Sequence, residues 1–227
     1  MNTEIKRALV IGAGSGIGAA TAAALADEGF EVLGSRSDRD ATDPDEVAAL
    51  FAEADPDLVV VTAGTLPRMA PIDEQSWESF SAAWNVDVKI AFEVGRAAIA
   101  RPLRAGSTVV IVASGAALGG SPKSGGYAGA KRMQMFLADY LQQLAASREL
   151  EIRFLALAPQ LIAGTTIAAA AAAAYAAADE SAQEYMERRF PEQLDAAGAA
   201  DAIVAIAAGE HPEATNLKVT AAGVSPL

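Results

Sequence analysis

The sequence has no cysteine and only one histidine, His211. Without thiols the chain has neither disulfides nor thiolate metal ligands, and one imidazole is too few for a zinc or iron site. We therefore expect no metal centre. His211 lies in a Glu-His-Pro segment before the last predicted strand, and we interpret it as a loop residue.

Basic residues are also scarce, because 17 Lys and Arg stand against 29 Asp and Glu and give a net charge of −12. The field of such a chain repels a nucleic-acid backbone or an anionic membrane. We expect a small-molecule partner, with no nucleic acid and no membrane bound. A ligand that carries phosphate would need cations close to it.

Long hydrophobic runs are absent as well. Residues 8–11 form too short an apolar run for a signal peptide, and the alanine-rich residues 168–178 fall short of the ~20 strongly apolar residues of a membrane helix. These features predict a cytoplasmic protein. Apolar residues make up 52% of the chain with no linker-like change of composition, so residues 1–227 are predicted to form a single domain.

A glycine-rich turn follows the first predicted strand, residues 8–11, and opens into an alanine-rich helix that Gly29 ends. Backbone N–H groups at a helix N-terminus, approached closely because glycine lacks Cβ, form a seat for a pyrophosphate. A flexible turn is the alternative, but the position between strand and helix favours a dinucleotide site. Its predicted contact residues are Gly12, Ser15, Gly16, Ile17 and Gly18.

The second predicted strand, residues 30–35, runs into Arg36 and Ser37. An NAD site usually offers an acidic residue here to the ribose hydroxyls. A guanidinium suits a 2′-phosphate instead, so Arg36 and Ser37 predict NADP, with Arg39 nearby. A solvated surface arginine is the alternative, and it leaves NAD open as the cofactor.

Ser114, Tyr127 and Lys131 lie at separations of thirteen and four residues. Residues 107–113 are typical of a buried strand, so Ser114 is predicted at its carboxyl end, where ligands bind in parallel sheets. Helical spacing places Tyr127 and Lys131 on one face of a helix. An isolated phenol is a poor base near neutrality, but a neighbouring ammonium favours the phenolate, and a serine hydroxyl can polarise a carbonyl. The pattern predicts a proton-transfer site.

Together these motifs resemble the short-chain dehydrogenase/reductase family over nearly the whole chain. The family's Gly-x-x-x-Gly-x-Gly pattern and its catalytic Ser, Tyr and Lys match, in order, Gly12, Gly16, Gly18, Ser114, Tyr127 and Lys131. The resemblance also implies further cofactor contacts at the adenine, in the turn after a strand at residues 58–61, and at the nicotinamide amide. These are Asp40, then Ala63 and Gly64, then Pro159, Ile162 and either Thr165 or Thr166.

The chain departs from the family pattern at three places. The segment between Arg36 and Asp40 is short, so we expect the usual third helix and strand to be compressed or absent, and the next helix to begin at residues 43–46 with a capping box. Gln160 stands where the family has a Pro-Gly turn. The family's catalytic Asn corresponds to Asp87, which is a candidate catalytic residue. Compact members of the family tolerate loss of that Asn, so the resemblance still implies an enzyme.

Residues 76–100 are predicted to form one helix. Its apolar residues recur at helical spacing and are interpreted as core; they are Trp77, Phe80, Trp84, Val88 and Phe92. In the family this helix and the one bearing Tyr127 form the dimer interface, so the resemblance implies a homodimer or homotetramer. A helix at residues 199–208 and a strand at residues 216–220 are the last predicted elements.

Residues 165–190, named here the cover segment, correspond to the mobile substrate cover of the family. Their alanine content predicts a helix over residues 167–187. Alanine methyls bury little area, so the cover segment is expected to dock weakly and open easily, with a surface segment of no gating role as the alternative. Arg68 and Lys123 are candidates for binding an anionic group, with solvated side chains as the alternative.

We therefore predict an α/β fold, a single-domain, Rossmann-like, doubly wound and mainly parallel sheet with helices on both faces. The predicted function is an NADP(H)-dependent oxidoreductase that transfers a hydride between nicotinamide and a carbonyl or secondary alcohol. Tyr127 is the predicted acid/base, Ser114 orients the carbonyl, and Lys131 also holds the nicotinamide ribose. The alternatives are the same chemistry with NAD(H), and a non-catalytic dinucleotide-binding sensor or scaffold of the same fold.

Overall fold

The computed structural model describes residues 6–227, and strands alternate with helices along this part of the chain. Residues 1–5 lie outside the described residues. They belong to the N-terminal segment that we interpret as lacking a signal peptide. The strands are β1 (Arg7–Ile11), β2 (Glu31–Ser35), β3 (Leu58–Val61), β4 (Thr108–Val112), β5 (Arg153–Pro159), β6 (Asn216–Thr220) and β7 (Gly223–Pro226). The helices are α1 (Gly16–Asp27), α2 (Pro44–Ala54), α3 (Trp77–Ala83), α4 (Lys89–Ala100), α5 (Ala116–Gly119), α6 (Gly125–Ser147), α7 (Thr166–Tyr175), α8 (Ala182–Arg189) and α9 (Ala196–Ala207).

The described strands form one sheet in the order β2-β1-β3-β4-β5-β6-β7. Every neighbouring pair is parallel except β6 and β7. The strand order reverses between β1 and β3, and in such sheets a ligand crevice opens beyond the carboxyl ends of the strands at this point. The predicted doubly wound, mainly parallel fold is confirmed.

Two hydrophobic layers cover the two faces of the sheet. Leu9 and Ile11 of β1 belong to the layer that packs under α2, α4 and α6, whereas Ala8 and Val10 belong to the layer under α1 and α9. Side chains of a strand point alternately to opposite faces, and both sets are buried here because helices lie on both sides. This explains why the sequences of the central strands β1, β3, β4 and β5 are mostly apolar runs rather than alternating patterns.

The sheet ends at β2, and the described chain has no strand between β2 and α2. The expectation of one fewer edge strand is confirmed. Asp43 caps α2 by accepting a 2.8 Å hydrogen bond from the N–H of Asp45. The predicted capping box is wrong, however, because the carboxylate of Glu46 binds Arg39 instead of returning to the cap.

The helix predicted over residues 76–100 is divided by a π-helical turn, Trp84–Val88, between α3 and α4. The prediction that its aromatic face belongs to the core is wrong for Trp77, Trp84 and Phe92, which are 78%, 41% and 50% exposed. A π turn holds an extra residue, so the 3.6-residue spacing assumed from the sequence does not continue through it. None of the described helices has the length and hydropathy to cross a bilayer.

Strand β7 was not predicted, whereas β6 has the predicted bounds. Gly223 and Pro226 favour a chain end over a strand. The strand forms nonetheless because β7 lies at the edge of the sheet, where it needs hydrogen bonds on one side only, from β6.

Candidate active site

A cleft of about 950 Å³ opens at the carboxyl ends of the central strands. It is lined by every residue predicted for the site except Asp87. These are Gly12, Ser15, Gly16, Ile17, Gly18, Arg36, Ser37, Asp40, Ala63, Gly64, Ser114, Tyr127, Lys131, Pro159, Ile162 and Thr165. Motifs that are far apart in the sequence therefore meet at one concave surface.

The glycine turn joins β1 directly to α1. Gly12 has a φ of +98°, and a Cβ on Gly18 would lie 2.1 Å from the carbonyl oxygen of Gly12, so only glycine allows α1 to pack this closely. The N-cap residue Ser15 makes no side-chain hydrogen bond to the first turn of α1. The first N–H groups of α1 thus have no side-chain cap, and they fit the pyrophosphate of a dinucleotide.

Two arginines follow β2 and differ in their partners. Arg39 is bound to Glu46 at 2.6 Å and to Glu53 at 3.1 Å, and these hydrogen bonds raise the pKa of its guanidinium. Arg36 is exposed and forms no ion pair with any described residue. Of these two arginines, Arg36 therefore keeps its guanidinium free of ion pairs with the described residues at this end of the cleft.

Asp40 accepts hydrogen bonds from the backbone N–H and the hydroxyl of Thr42, at 2.9 and 2.8 Å, and these bonds lower the pKa of its carboxyl. The carboxylate thereby shapes the turn that leads into α2. The adenine contact implied for Asp40 stays a prediction.

Ser114 follows β4, and Tyr127 and Lys131 lie one turn apart near the start of α6. The side chain of Ser114 accepts a 3.2 Å hydrogen bond from the N–H of Ala116. Tyr127 is 7% exposed, and the ammonium nitrogen of Lys131 lies 5.7 Å from the centre of its ring. A Cβ on Gly126 would lie 2.1 Å from the carbonyl oxygen of Phe80, so glycine there lets α6 contact α3 and orients Tyr127 toward the cleft.

Asp87 lies behind Lys131 rather than in the wall of the cleft. It is 1% exposed, and its Oδ1 accepts a 2.8 Å hydrogen bond from the N–H of Thr65. Its Oδ2 is 3.0 Å from Nζ of Lys131, but the alignment is poor, so Oδ2 has an ionic contact and no hydrogen-bond donor among the described residues. Asn85, two positions earlier, is exposed and reaches Ser81 instead.

The far end of the cleft is formed by the chain after β5. Gln160 lines the cleft, and its side-chain amide donates a 2.9 Å hydrogen bond to the carbonyl of Glu192, which joins the turn after β5 to the segment before α9. Thr165 caps α7, accepting from the N–H of Ala168 at 3.2 Å and donating to the carbonyl of Ile162 at 2.8 Å. Leu161 and Ile167 add apolar wall to this end.

The cover segment contains two helices, α7 and α8, so the single helix predicted over residues 167–187 is wrong. Lys123 donates a hydrogen bond to the carbonyl of Ala174, in the last turn of α7, and its ammonium lies 5.4 Å over the ring of Tyr175. The hydroxyl of Tyr175 is hydrogen-bonded to Ser121. Lys123 is therefore bound to the cover segment, while Arg68 is exposed as the alternative interpretation has it.

Sequence reasoning missed two groups that hold Asp87. One is the N–H of Thr65; the other is Gln134, which is fully buried and donates a 2.9 Å hydrogen bond to the backbone carbonyl of Asp87. A glutamine between Met133 and Met135 on an apolar helix face is a signal that could have identified the second. No sequence pattern identifies a backbone N–H.

Known proteins resemble this chain in sequence and in fold. The family model described as enoyl-(acyl carrier protein) reductase matches residues 37–210. No curated protein matches the chain. Ligand-free aldohexose dehydrogenase from Thermoplasma acidophilum is 22% identical, with a TM-score of 0.80 over 96% of this chain and 93% of that one.

Two other solved structures of similar fold contain a bound cofactor. A variant of actinorhodin polyketide ketoreductase with NADPH is 19% identical, with a TM-score of 0.82 over 96% of each chain. ElxO with NADP bound is 18% identical, with a TM-score of 0.80 over 96% of this chain and 98% of that one. At these identities the structural likeness supports the fold.

Proposed function

The chain belongs to the short-chain dehydrogenase/reductase family of oxidoreductases, and we propose that it interconverts a carbonyl compound and its alcohol with NADP(H). The observation that carries this proposal is that Ser114, Tyr127 and Lys131 line the same cleft as the glycine turn. A cofactor seated on the turn and a substrate beside Tyr127 would share one cavity. The two reactants would then meet in a single site.

Each of the three side chains has a defined role in this proposal. The hydroxyl of Tyr127 gives its proton to the carbonyl oxygen during reduction and takes it back during oxidation. The hydroxyl of Ser114 donates a hydrogen bond to that oxygen as negative charge develops on it. The ammonium of Lys131, 5.7 Å from the centre of the Tyr127 ring, binds the ribose of the nicotinamide in this proposal. When bound, the nicotinamide supplies or accepts the hydride.

The cofactor assignment depends on Arg36. Its guanidinium is unpaired among the described residues and lies at the end of β2, where a 2′-phosphate is recognised in such folds. The two solved structures that contain NADPH and NADP are consistent with this assignment. The same chemistry with NAD(H) is the alternative, and it requires that Arg36 remain solvated when the cofactor binds.

A second candidate is a non-catalytic dinucleotide sensor or scaffold. The features that favour it are Asp87 in place of the family's Asn and Gln160 in place of the glycine of the Pro-Gly turn. The intact set of Ser114, Tyr127 and Lys131 at the cleft argues against it, because dinucleotide binding alone does not require a serine and a tyrosine hydroxyl placed for proton transfer.

A panel of ketones and aldehydes tests the proposal. NADPH or NADH is incubated with the protein, and nicotinamide absorbance is followed, with Tyr127→Phe as the control. We expect faster oxidation of NADPH than of NADH, and none above background with Tyr127→Phe. Tight binding of either cofactor without turnover of any carbonyl would favour the sensor or scaffold instead.

We also propose that the protein is a homo-oligomer that associates through α4 and α6. Four aromatic side chains on this face are exposed by 41–58%, namely Trp84, Phe92, Phe136 and Tyr140. Phe136 and Tyr140 stack on one another with ring centres 6.4 Å apart. An apolar patch of this kind is typical of a protein contact. The cytoplasmic location stays a prediction.

A further inference from the structure

The carboxylate of Asp87 is a buried charge to which the proposed chemistry assigns no role. Burying an ion is costly unless charged and hydrogen-bonding partners surround it. Asp87 has one of each, because Lys131 lies 3.0 Å from Oδ2 and the N–H of Thr65 lies 2.8 Å from Oδ1. The pair joins the π-helical turn, α6 and the turn after β3.

The donors of Lys131 can be counted. An ammonium has three N–H groups. Around Nζ, the structure offers the carbonyl of Val112 at 3.4 Å and the carboxylate of Asp87 at 3.0 Å. The carbonyl of Val112 accepts one N–H, and the contact with Asp87 is ionic without an aligned hydrogen bond, so donor capacity remains for a ligand in the cleft, which Lys131 lines. Without Asp87, the ammonium would have only a long hydrogen bond to keep it in place.

The position of the carboxylate is itself closely defined. A Cβ on Gly64 would lie 2.7 Å from Oδ2, so no larger residue fits between this carboxylate and the cleft. On the other side, Gln134 holds the backbone carbonyl of Asp87 at 2.9 Å. Gln134 thus holds the backbone of Asp87, and a movement of its side chain away from Lys131 would break the hydrogen bond from the N–H of Thr65.

We propose that Asp87 is a positioning residue that holds the ammonium of Lys131 at the cleft and, through its negative charge, sets the pH range in which Tyr127 works. The inference rests on the proposed function. A negative charge disfavours the deprotonated form of each neighbouring group. Removing it should therefore move the pH profile of turnover to lower pH.

Other charged groups around the π-helical turn do not take over this role. From α6, Lys131 faces Asp87, and its ammonium also lies 5.7 Å from the ring centre of Tyr127. The turn after β3 contributes only the backbone of Thr65. On α3 and α4, Glu78 and Lys89 are exposed. Glu93 of α4 is paired with Arg96 at 2.7 Å. Within the described residues, Asp87 is the one carboxylate in ionic contact with Lys131.

A thermal-stability cycle tests the pairing without any substrate. It uses Lys131→Met, Asp87→Asn and the double variant. Lys131→Met leaves a buried carboxylate unpaired, and we expect the melting temperature to fall by about 10 °C. The double variant should recover at least half of that loss. If the melting temperature of the double variant falls by the sum of the falls in the two single variants, the pairing of Asp87 with Lys131 is overturned.

Profiles of alcohol oxidation against pH test the role in turnover. For Asp87→Asn we expect the rising limb to move about one unit toward lower pH, while KM for the alcohol changes less than threefold. Glu78→Gln, which removes an exposed carboxylate on α3, should leave the profile unchanged. An unchanged profile for Asp87→Asn would overturn the inference, and so would a folded variant with no activity, because it would give Asp87 a direct part in the reaction.

The two arms separate this inference from the proposed function. Turnover by the unmodified protein combined with additive stability losses would overturn the inference and leave the proposed function standing. Stability losses that do not add, in a protein that turns over no carbonyl, would support the pairing of Asp87 with Lys131 and overturn the proposed function. If Asp87→Asn does not fold, Asp87→Ser keeps a small acceptor for the N–H of Thr65 and serves in both arms.

Discussion

The guanidinium of Arg39 lies 2.6 Å from the carboxylate of Glu46, and a second contact reaches Glu53 at 3.1 Å. These bonds join the segment after β2 to α2, which packs beside it. Because Arg39 is held in this way, the two arginines that the sequence offers for a 2′-phosphate are not equivalent. Arg36 is exposed at the cleft and has no ion pair among the described residues.

Arg36→Ala should therefore weaken NADPH binding by about 1.5–3 kcal/mol, roughly 10- to 150-fold, since it removes a charge-assisted hydrogen bond. NADH binding should change little. Dissociation constants from fluorescence titration give both values. Arg39→Ala is the matched control, and we expect it to lower the melting temperature while leaving the ratio of the two constants unchanged. If Arg36→Ala weakens the binding of NADPH and NADH equally, Arg36 does not bind the 2′-phosphate.

Tyr127→Phe should reduce turnover by about 100-fold or more, because it removes the proton that is transferred. It removes almost no contact area, so the dissociation constant for NADPH should change less than threefold. Stopped-flow or steady-state absorbance measures the first quantity, and fluorescence titration the second. Tyr140→Phe removes a hydroxyl from an exposed tyrosine of the same helix and should leave both unchanged. Retained turnover in Tyr127→Phe would end the proposed mechanism.

Lys123→Met should loosen the cover segment, because the ammonium binds the carbonyl of Ala174 near the end of α7. Loss of such a bond costs about 1–2 kcal/mol, so the open form should become roughly 5- to 30-fold more populated. Elastase, which cleaves after small residues, should cut the alanines at 176–178 correspondingly faster. Lys218→Met, on an exposed lysine of β6, is the control. The same cleavage rate in both variants would contradict a holding role for Lys123.

The ionised carboxylate of Glu180 stabilises α8, so we expect α8 to lose stability in acid. Two hydrogen bonds from Arg188, at 2.6 and 2.9 Å, and one from the N–H of Ala177 lower the pKa of Glu180 to about 2. A carboxyl whose folded pKa is depressed stabilises the fold above its ordinary pKa of 4.5, and this contribution is lost as the pH falls toward 2.

Hydrogen exchange, corrected for intrinsic rates, measures this effect. Protection of α8 relative to α9 should fall between pH 5 and about 2.5. In Glu180→Gln, the protection of α8 should already be low at pH 5 and should change little as the pH falls. Parallel behaviour of the two proteins would show that this carboxylate does not stabilise α8.

Phe136→Asp should shift the protein toward a smaller assembly, because it places a charge in the exposed aromatic face of α4 and α6. The side chain is 58% exposed, so the fold should be kept. Light scattering after size-exclusion chromatography gives the mass. Ile72→Asp, at a residue 73% exposed outside this face, is the control. A chain that is monomeric before substitution would exclude the proposed oligomer.

Much of the fold follows from local sequence patterns. Mostly apolar runs of four to seven residues form the central parallel strands, and β3 and β6 have the bounds predicted for them. The glycine turn and the Ser-Tyr-Lys spacing each depend on short stretches of chain, and both motifs line the cleft. Such patterns are readable because backbone geometry and side-chain direction within one element depend on near neighbours.

The helix predicted over residues 76–100 shows where local patterns stop being sufficient. Its apolar spacing is regular, yet the π turn changes the phase, and Trp77, Trp84 and Phe92 face outward. Whether a hydrophobic side chain lies in the core or on an exposed face depends on the elements packed around it. The periodicity of one helix does not contain that information.

The sequence by itself determined the fold class, the glycine turn and the residue types available for proton transfer. Only the tertiary structure decided which charges are paired. Asp87 meets Lys131 and Thr65 across 44 and 22 residues of chain, and Arg39 rather than Arg36 is held by α2. These pairings depend on how α2, α6 and the turn after β3 pack, because charges that are distant in the sequence interact only when folding brings them within a few Å of each other.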